Sequence, residues 1–179
     1  DLTSEIIEMC CERQSNCVDV GAYRGTILKQ MAATSTKGKV YAFEPVPMNY
    51  CYLKKRFPTA IIYDFALSDS NDFREFYFVS GRPARSSLIH REYPDKNEKI
   101  KTFNVRTECL DNIIPLGVPI HFIKIDVEGG EIAVLRGARK VIEKQRPRMI
   151  LATHGDEIDA ECRTLLREWN YDMHDINHE

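Results

Sequence analysis

Apolar and polar positions change their period repeatedly along this chain. Leu2, Ile6, Met9 and Cys10 recur at helical spacing, residues 17–20 form a short apolar run, and Ile27, Leu28, Met31 and Ala32 set a second helical stripe over 27–33. A strand at 39–43 follows in KVYAFEP, then a helical segment from about Met48 to Phe57 and a strand at 60–65 in AIIYDF. HFIKIDVEGGEIAVLRGARKVI places a strand near 120–125 ahead of a helix with Ile132, Leu135, Ala138 and Ile142 on one face. RMILAT at 148–153 predicts a fifth strand, and Ile158, Cys162, Leu165, Leu166 and Trp169 complete the pattern with a helical stripe.

Strands separated by helices of this length need crossover connections, which are right-handed in nearly all proteins. The expected fold is therefore α/β: a doubly wound, mostly parallel, Rossmann-like sheet covered on both faces. One region breaks the rhythm. FREFYFV at 73–79 and KTFNVRT at 101–107 alternate with period two, which predicts an antiparallel hairpin with a polar lid at 80–101, inserted over 68–107. YDMHDI at 171–176 is expected to start a sixth strand, with the C-terminal strands incomplete. The 179 residues read as one domain, opened by an N-terminal helix over 1–15.

Composition narrows the partners. Twenty-five basic against twenty-seven acidic residues give a net charge of −2, which offers no general attraction to nucleic acid or an anionic membrane. No apolar run reaches the roughly 18 residues of a membrane span, so the chain reads as soluble. Cys10, Cys11, Cys17, Cys51, Cys109 and Cys162 show no C-x-x-C pair and no zinc spacing with His. Scattered free thiols fit a reducing, cytoplasmic setting.

The stretch CVDVGAYRGTILKQMA supplies the first chemistry. A strand that ends in Asp19, turns through Gly21 and Gly25 and enters a helix leaves unpaired backbone N–H groups at the carboxyl edge of the sheet. The spacing is D-x-G-x-x-x-G, which lacks both the dinucleotide fingerprint and the Lys-Ser/Thr of phosphate-gripping loops. Glu44, nineteen residues past Gly25 and at the end of the second strand, can accept hydrogen bonds from both hydroxyls of a ribose. Adenosine without pyrophosphate points to S-adenosylmethionine. A nucleotide-binding oxidoreductase on the same sheet, and a cofactor-binding module without catalysis, remain as alternatives.

VDVGAYRG, VYAFEPVP, ALSDS, SSL, ECLDNII and FIKIDVEGGEIAVLRGA, in this order, resemble the successive motifs of the FkbM-type S-adenosylmethionine-dependent methyltransferases over about residues 16–155. The resemblance implies a class I methyltransferase fold and O-methylation of a hydroxyl on a sugar or secondary metabolite, with a small molecule or glycan as acceptor. Two departures stand out: Tyr23-Arg24 in the turn, and LATHG at the end of the fifth strand, where an acidic residue is common two places before the histidine.

On that reading Asp19, Gly21, Ala22 and Gly25 line the methionine part of the cofactor, Glu44 with Pro45 holds the ribose, and Asp64, Phe65 and Ala66 meet the adenine. Asp126 ends the fourth strand beside the expected sulfonium. His154, whose ordinary pKa near 6.5 suits a general base, is the catalytic candidate with Asp126. Glu128 at the cleft mouth, with Arg82, Arg85, Ser86 and Ser87 of the lid, are candidate acceptor contacts. Glu131 suits the first turn of a helix electrostatically, with or without a catalytic role. Asp126 and Glu128 could donate oxygens to a metal, but the sequence gives no evident third ligand, so no metal is assigned.

Overall fold

The computed structural model describes residues 2–91 and 98–176. After helix α1 (Leu2–Cys10) the chain alternates strand and helix: β1 (Cys17–Val20), α2 (Thr26–Thr34), β2 (Val40–Phe43), α3 (Pro47–Arg56) and β3 (Ile61–Tyr63). It then leaves the main sheet through β4 (Ala66–Leu67), β5 (Asp72–Val79), β6 (Ile100–Glu108) and the short α4 (Leu110–Ile113). It returns as β7 (Phe122–Ile125), α5 (Glu131–Gly137), α6 (Arg139–Gln145), β8 (Arg148–Leu151) and α7 (Asp156–Glu168). The central sheet has five strands in the order β3-β2-β1-β7-β8, all parallel. The chain winds outward from β1 in one direction and resumes at β7 on its other side, which opens a crevice at the carboxyl ends of β1 and β7.

Period-two alternation sorts the strand side chains between two cores. Val18, Val20, Ile123 and Ile125 pack with Val134, Leu135, Val141, Ile142, Cys162 and Leu166 from α5, α6 and α7. Cys17, Ala42 and Phe122 pack on the opposite face with Ile7, Leu28, Met31 and Leu53 from α1, α2 and α3. Both faces of the sheet are thus covered, as the near-continuous apolar strands require. A smaller cluster of Val46, Ala66, Phe76 and Val105 joins the hairpin to the sheet edge.

β5 and β6 pair antiparallel from Asp72↔Thr107 to Val79↔Ile100, and β4 runs parallel to β6 in the same three-stranded sheet. Three expectations are corrected. The strand expected over 60–65 stops at Tyr63, because the chain bends at Asp64 and Phe65 to enter the second sheet. The long helix after β7 divides at Ala138, where the Asp111 carboxylate accepts the Lys140 and Val141 amides and starts α6 afresh. Residues 171–176 form no strand: Tyr171 packs against the core and its hydroxyl donates to the Pro147 carbonyl, so this segment lies against the fold without pairing.

All six cysteines are free thiols; Cys11 and Cys17 are neighbours, with Sγ atoms 3.6 Å apart. Among the described residues, no helix is long and apolar enough to cross a membrane.

Candidate active site

The turn after β1 is shaped by close approach. Gly21 has φ +75°, and a Cβ there would lie 2.0 Å from the Asp126 carbonyl oxygen, so the first glycine exists to let the ends of β1 and β7 meet. Gly25, at φ +78°, gives the left-handed entry to α2, and its missing side chain makes room for Leu53 and Phe57. The glycine pair serves packing directly; the cleft is its consequence.

That cleft opens at the carboxyl ends of β1, β2 and β7. Its floor is Val20, Gly21, Tyr23 and Phe43, and one wall is Glu44, Pro45, Val46 and Asn49. Ala66, Leu67 and Phe76 add an apolar side, Pro83, Ala84, Ser86 and Leu88 come from the hairpin connection, and Asp126, Val127, Glu128 and Gly130 close the far end. The hairpin therefore shapes the same cleft that carries Glu44.

Glu44 is buried, and both its oxygens are engaged. Oε2 accepts the Tyr23 amide at 2.8 Å, while Oε1 accepts the Val46 amide at 3.0 Å and Asn49 Nδ2 at 3.3 Å. Burial pushes its carboxyl above the ordinary glutamate range, against the pull of those three donors. Tyr23 takes a positive φ of 47° to present its amide, so the unusual Tyr23-Arg24 turn is built into the carboxylate's own support.

Asp19 lies one layer below. It is fully buried, stands level with Lys124 in the β1–β7 register, and faces Lys124 Nζ at 3.4 Å, yet neither of its oxygens has a hydrogen bond. Burial raises its pKa, and Lys124 opposes the shift. Lys124 also donates to the Gly21 carbonyl at 3.0 Å and lies 3.6 Å from Asp126 Oδ2, so one ammonium ties the turn, Asp19 and Asp126 together.

At the far end, β7 and β8 bring separated residues into one cluster. His154 Nδ1 lies 2.9 Å from Glu131 Oε1, and Nε2 lies 3.3 Å from Glu128 Oε1 and 3.7 Å from Asp126 Oδ1. A carboxylate can only accept, so Nδ1 carries the hydrogen toward Glu131. Flanked by carboxylates on both nitrogens, the imidazole is held as the cation, its pKa pushed up to about 10 by Glu128 and Glu131. A general base with the ordinary value near 6.5 is not the state this geometry holds. Burial pushes the carboxyls of Glu128 and Glu131 up, but hydrogen bonds from His154, with Arg91 on the first and the Gly129 amide on the second, bring both below their usual range.

Of the residues singled out in the sequence, Gly21, Glu44, Pro45, Ala66, Ser86, Asp126 and Glu128 line the cleft, with His154 set against its acidic end. Ala22 and Gly25 lie in the packing around the turn. Asp64 is exposed and Phe65 is buried among Phe43, Tyr63 and the Arg106 guanidinium, and neither lines the cleft. Ser87 is buried and serves the loop, its hydroxyl accepting the Ile89 amide. Arg82 pairs outward with Glu98 at 3.8 Å, and Arg85 is exposed outside the lining.

The sequence reading passed over Lys124, Asn49 and Arg91. Lys124 had a signal, a lone cation inside an apolar parallel strand, but its value depends on facing Asp19. Arg91 joins the lid to the cluster: Nη1 meets Glu128 Oε2 at 2.8 Å and Nη2 donates to the His154 carbonyl at 2.6 Å.

Comparison with known proteins agrees with this architecture. A family model described as a methyltransferase FkbM domain matches residues 19–173. No protein of curated function matches the chain. Among solved structures, an rRNA methylase from Streptococcus thermophilus superposes with a TM-score of 0.56 at 14% identity, covering 92% of this chain and 76% of that one. At that identity the likeness concerns the fold.

Proposed function

Because the chain belongs to the FkbM methyltransferase family, matching its model over residues 19–173, we propose that it uses S-adenosylmethionine to methylate a hydroxyl oxygen of a small-molecule or glycan acceptor. One observation carries this reading: the buried Glu44 carboxylate and the Gly21 turn share a single cleft with Asp126 and Glu128. Ribose recognition and acceptor chemistry would then be adjacent.

The residues present fit the cofactor. Glu44 uses three of its roughly four lone-pair sites on protein donors, which fixes its carboxylate and leaves capacity for a ribose hydroxyl. Asp19, buried beneath the turn and held against Lys124, supports the Gly21 end of the cleft without lining it. Ala66, Leu67 and Phe76 offer an apolar wall for a purine. When bound, S-adenosylmethionine supplies an electrophilic methyl group on a sulfonium.

The chain's own work is alignment and proton handling. Asp126, at the end of β7 and half-open to the cleft, accepts the acceptor's hydroxyl proton as the oxygen gains its methyl group. His154, charged and pinned by Glu131, orients the neighbouring carboxylates instead of serving as the base. A net charge of −2 gives no general affinity for a polyphosphate backbone, which favours a small acceptor over nucleic acid.

Thermal-shift titration with S-adenosylhomocysteine and with NAD tests the cofactor class. S-adenosylhomocysteine should raise Tm in a saturable way and NAD should not. Stabilisation by NAD alone would replace this reading with an oxidoreductase.

A further inference from the structure

The acidic end of the cleft is arranged around a point between three side chains. Asp126 commits Oδ2 to Lys124 and turns Oδ1 toward His154 Nε2; Glu128 commits Oε2 to Arg91 and turns Oε1 toward the same nitrogen. His154 in turn commits Nδ1 to Glu131. Each outer atom is thus tied, while Oδ1, Oε1 and Nε2 converge within 4.8 Å of one another. From this convergence we infer that Asp126, Glu128 and His154 form a binding site for a divalent first-row cation of the Mn²⁺ to Zn²⁺ kind.

Distance supports the assignment. Atoms bonded to one cation at about 2.1 Å stand roughly 3.0–3.5 Å apart at octahedral or tetrahedral angles. The Nε2 to Oε1 and Nε2 to Oδ1 separations are 3.3 and 3.7 Å, and all three atoms lie within 4.8 Å of one another, so the two carboxylates must draw in around a cation to complete the set. Glu131 gives a second, independent observation. It is fully buried, aims its carboxylate at Nδ1, and has Oε2 without a partner. A buried carboxylate on the far nitrogen keeps the hydrogen on Nδ1, so a cation that enters displaces only the Nε2 proton of the imidazolium and takes that nitrogen as its ligand. One imidazole with two carboxylates disfavours the all-oxygen preference of Mg²⁺ and Ca²⁺.

Three protein ligands leave coordination positions open toward the cleft. Within the methyltransferase reading, on which this part rests, they select an acceptor with two adjacent oxygens, such as a vicinal diol or an α-hydroxy acid. The cation would bind both oxygens and acidify the one to be methylated, whose proton then leaves to solvent, and with the cation in place Asp126 serves as its ligand in place of accepting that proton.

Mn²⁺ is the probe. Titrating Mn²⁺ into the purified protein should quench the electron paramagnetic resonance signal of free Mn²⁺ with one-to-one stoichiometry, and Zn²⁺ should restore it by competition. Asp126→Asn and His154→Gln should each weaken Mn²⁺ at least tenfold, and Glu131→Gln about tenfold through orientation alone. Glu128→Gln provides a further variant, and circular dichroism identifies any that fail to fold. Absence of Mn²⁺ binding by the wild-type protein at millimolar concentration overturns the inference, as does unchanged affinity in folded Asp126→Asn and His154→Gln. S-adenosylhomocysteine is titrated into the same samples: its binding without Mn²⁺ binding sinks the cation site and spares the cofactor reading. Mn²⁺ binding without S-adenosylhomocysteine binding supports the site and overturns that reading.

Discussion

Asp19 and Lys124 stand directly opposite each other on neighbouring parallel strands, with Lys124 Nζ 3.4 Å from a carboxylate that is fully buried. Both point to the face covered by α1 and α2, given the alternation that puts Cys17 and Phe122 there. The pair is therefore a charge couple inside a core, beneath the turn that forms the cleft. Removing one partner strands the other. Lys124→Met should cost about 3–5 kcal/mol in urea denaturation, the scale for a buried charge left unpaired. Asp19→Asn with Lys124→Met should recover much of that loss. Simple additivity of the two single losses would show that the two groups are not coupled.

Gly21 and Gly117 offer a contrast between two glycines. A Cβ at Gly21 meets the Asp126 carbonyl oxygen at 2.0 Å on a backbone with φ +75°, whereas a Cβ at Gly117 meets nothing within 4 Å. Gly21→Ala should lower stability by about 2 kcal/mol or more and abolish S-adenosylhomocysteine binding, because β7 must move away from the turn. Gly117→Ala should leave Tm within about 2 °C of wild type, since surface changes of this kind are worth roughly 0.5 kcal/mol. Tight cofactor binding by Gly21→Ala would contradict the close approach.

Glu44 should show both a pH dependence and a sensitivity to its amide. Burial raises its folded pKa, so the ionised form that accepts from ribose is lost at a higher pH than for an exposed glutamate. Calorimetric affinity for S-adenosylhomocysteine should therefore fall as pH drops from 8 to 5, and the slope should flatten in Glu44→Gln. For stability the sign is reversed. The native state keeps this proton over a window beginning near the ordinary value of 4.5, where the unfolded chain has released it, so the contribution of Glu44 declines as pH rises through its folded pKa.

Glu44→Gln carries a further cost, because one oxygen becomes an NH₂ donor facing the Tyr23 or Val46 amide. About 1–3 kcal/mol of stability should be lost, read by urea denaturation. Glu44→Ala should weaken S-adenosylhomocysteine by on the order of 2 kcal/mol. Unchanged affinity would take Glu44 out of the site.

Arg91 separates the two ends of the cleft. It touches Glu128 and the His154 carbonyl and is absent from the Glu44 wall. Arg91→Ala should keep S-adenosylhomocysteine affinity within about threefold and cut turnover at least tenfold, because Glu128 and the β8 exit lose their shared charge-assisted anchor. Equal turnover in single-turnover methylation would reduce Arg91 to a lid contact.

The apolar pattern alone determined the alternation of strand and helix, because a parallel strand buried on both faces and an amphipathic helix impose different periods on the chain. It also determined that Glu44, Asp126 and His154 follow three different strands of the alternating pattern and hence lie on the carboxyl edge of one sheet. Strand order, by contrast, is a long-range outcome. Only the placement of β7 beside β1 sets Lys124 against Asp19, 105 positions apart in the chain, and makes Gly21 a requirement of the Asp126 carbonyl. The adenine-side reading of Asp64 and Phe65 needed the direction of a bend, which an aromatic run does not encode, and Phe65 turned into the core beside Phe43 and Tyr63. His154 joins the carboxylates of the β7–α5 loop only because β8 pairs with β7, so the third ligand missing from the sequence arrives through the sheet. A lone histidine has no local signature for three acidic partners more than twenty residues away; their convergence comes from hydrogen-bond register and side-chain packing, which only the folded chain supplies.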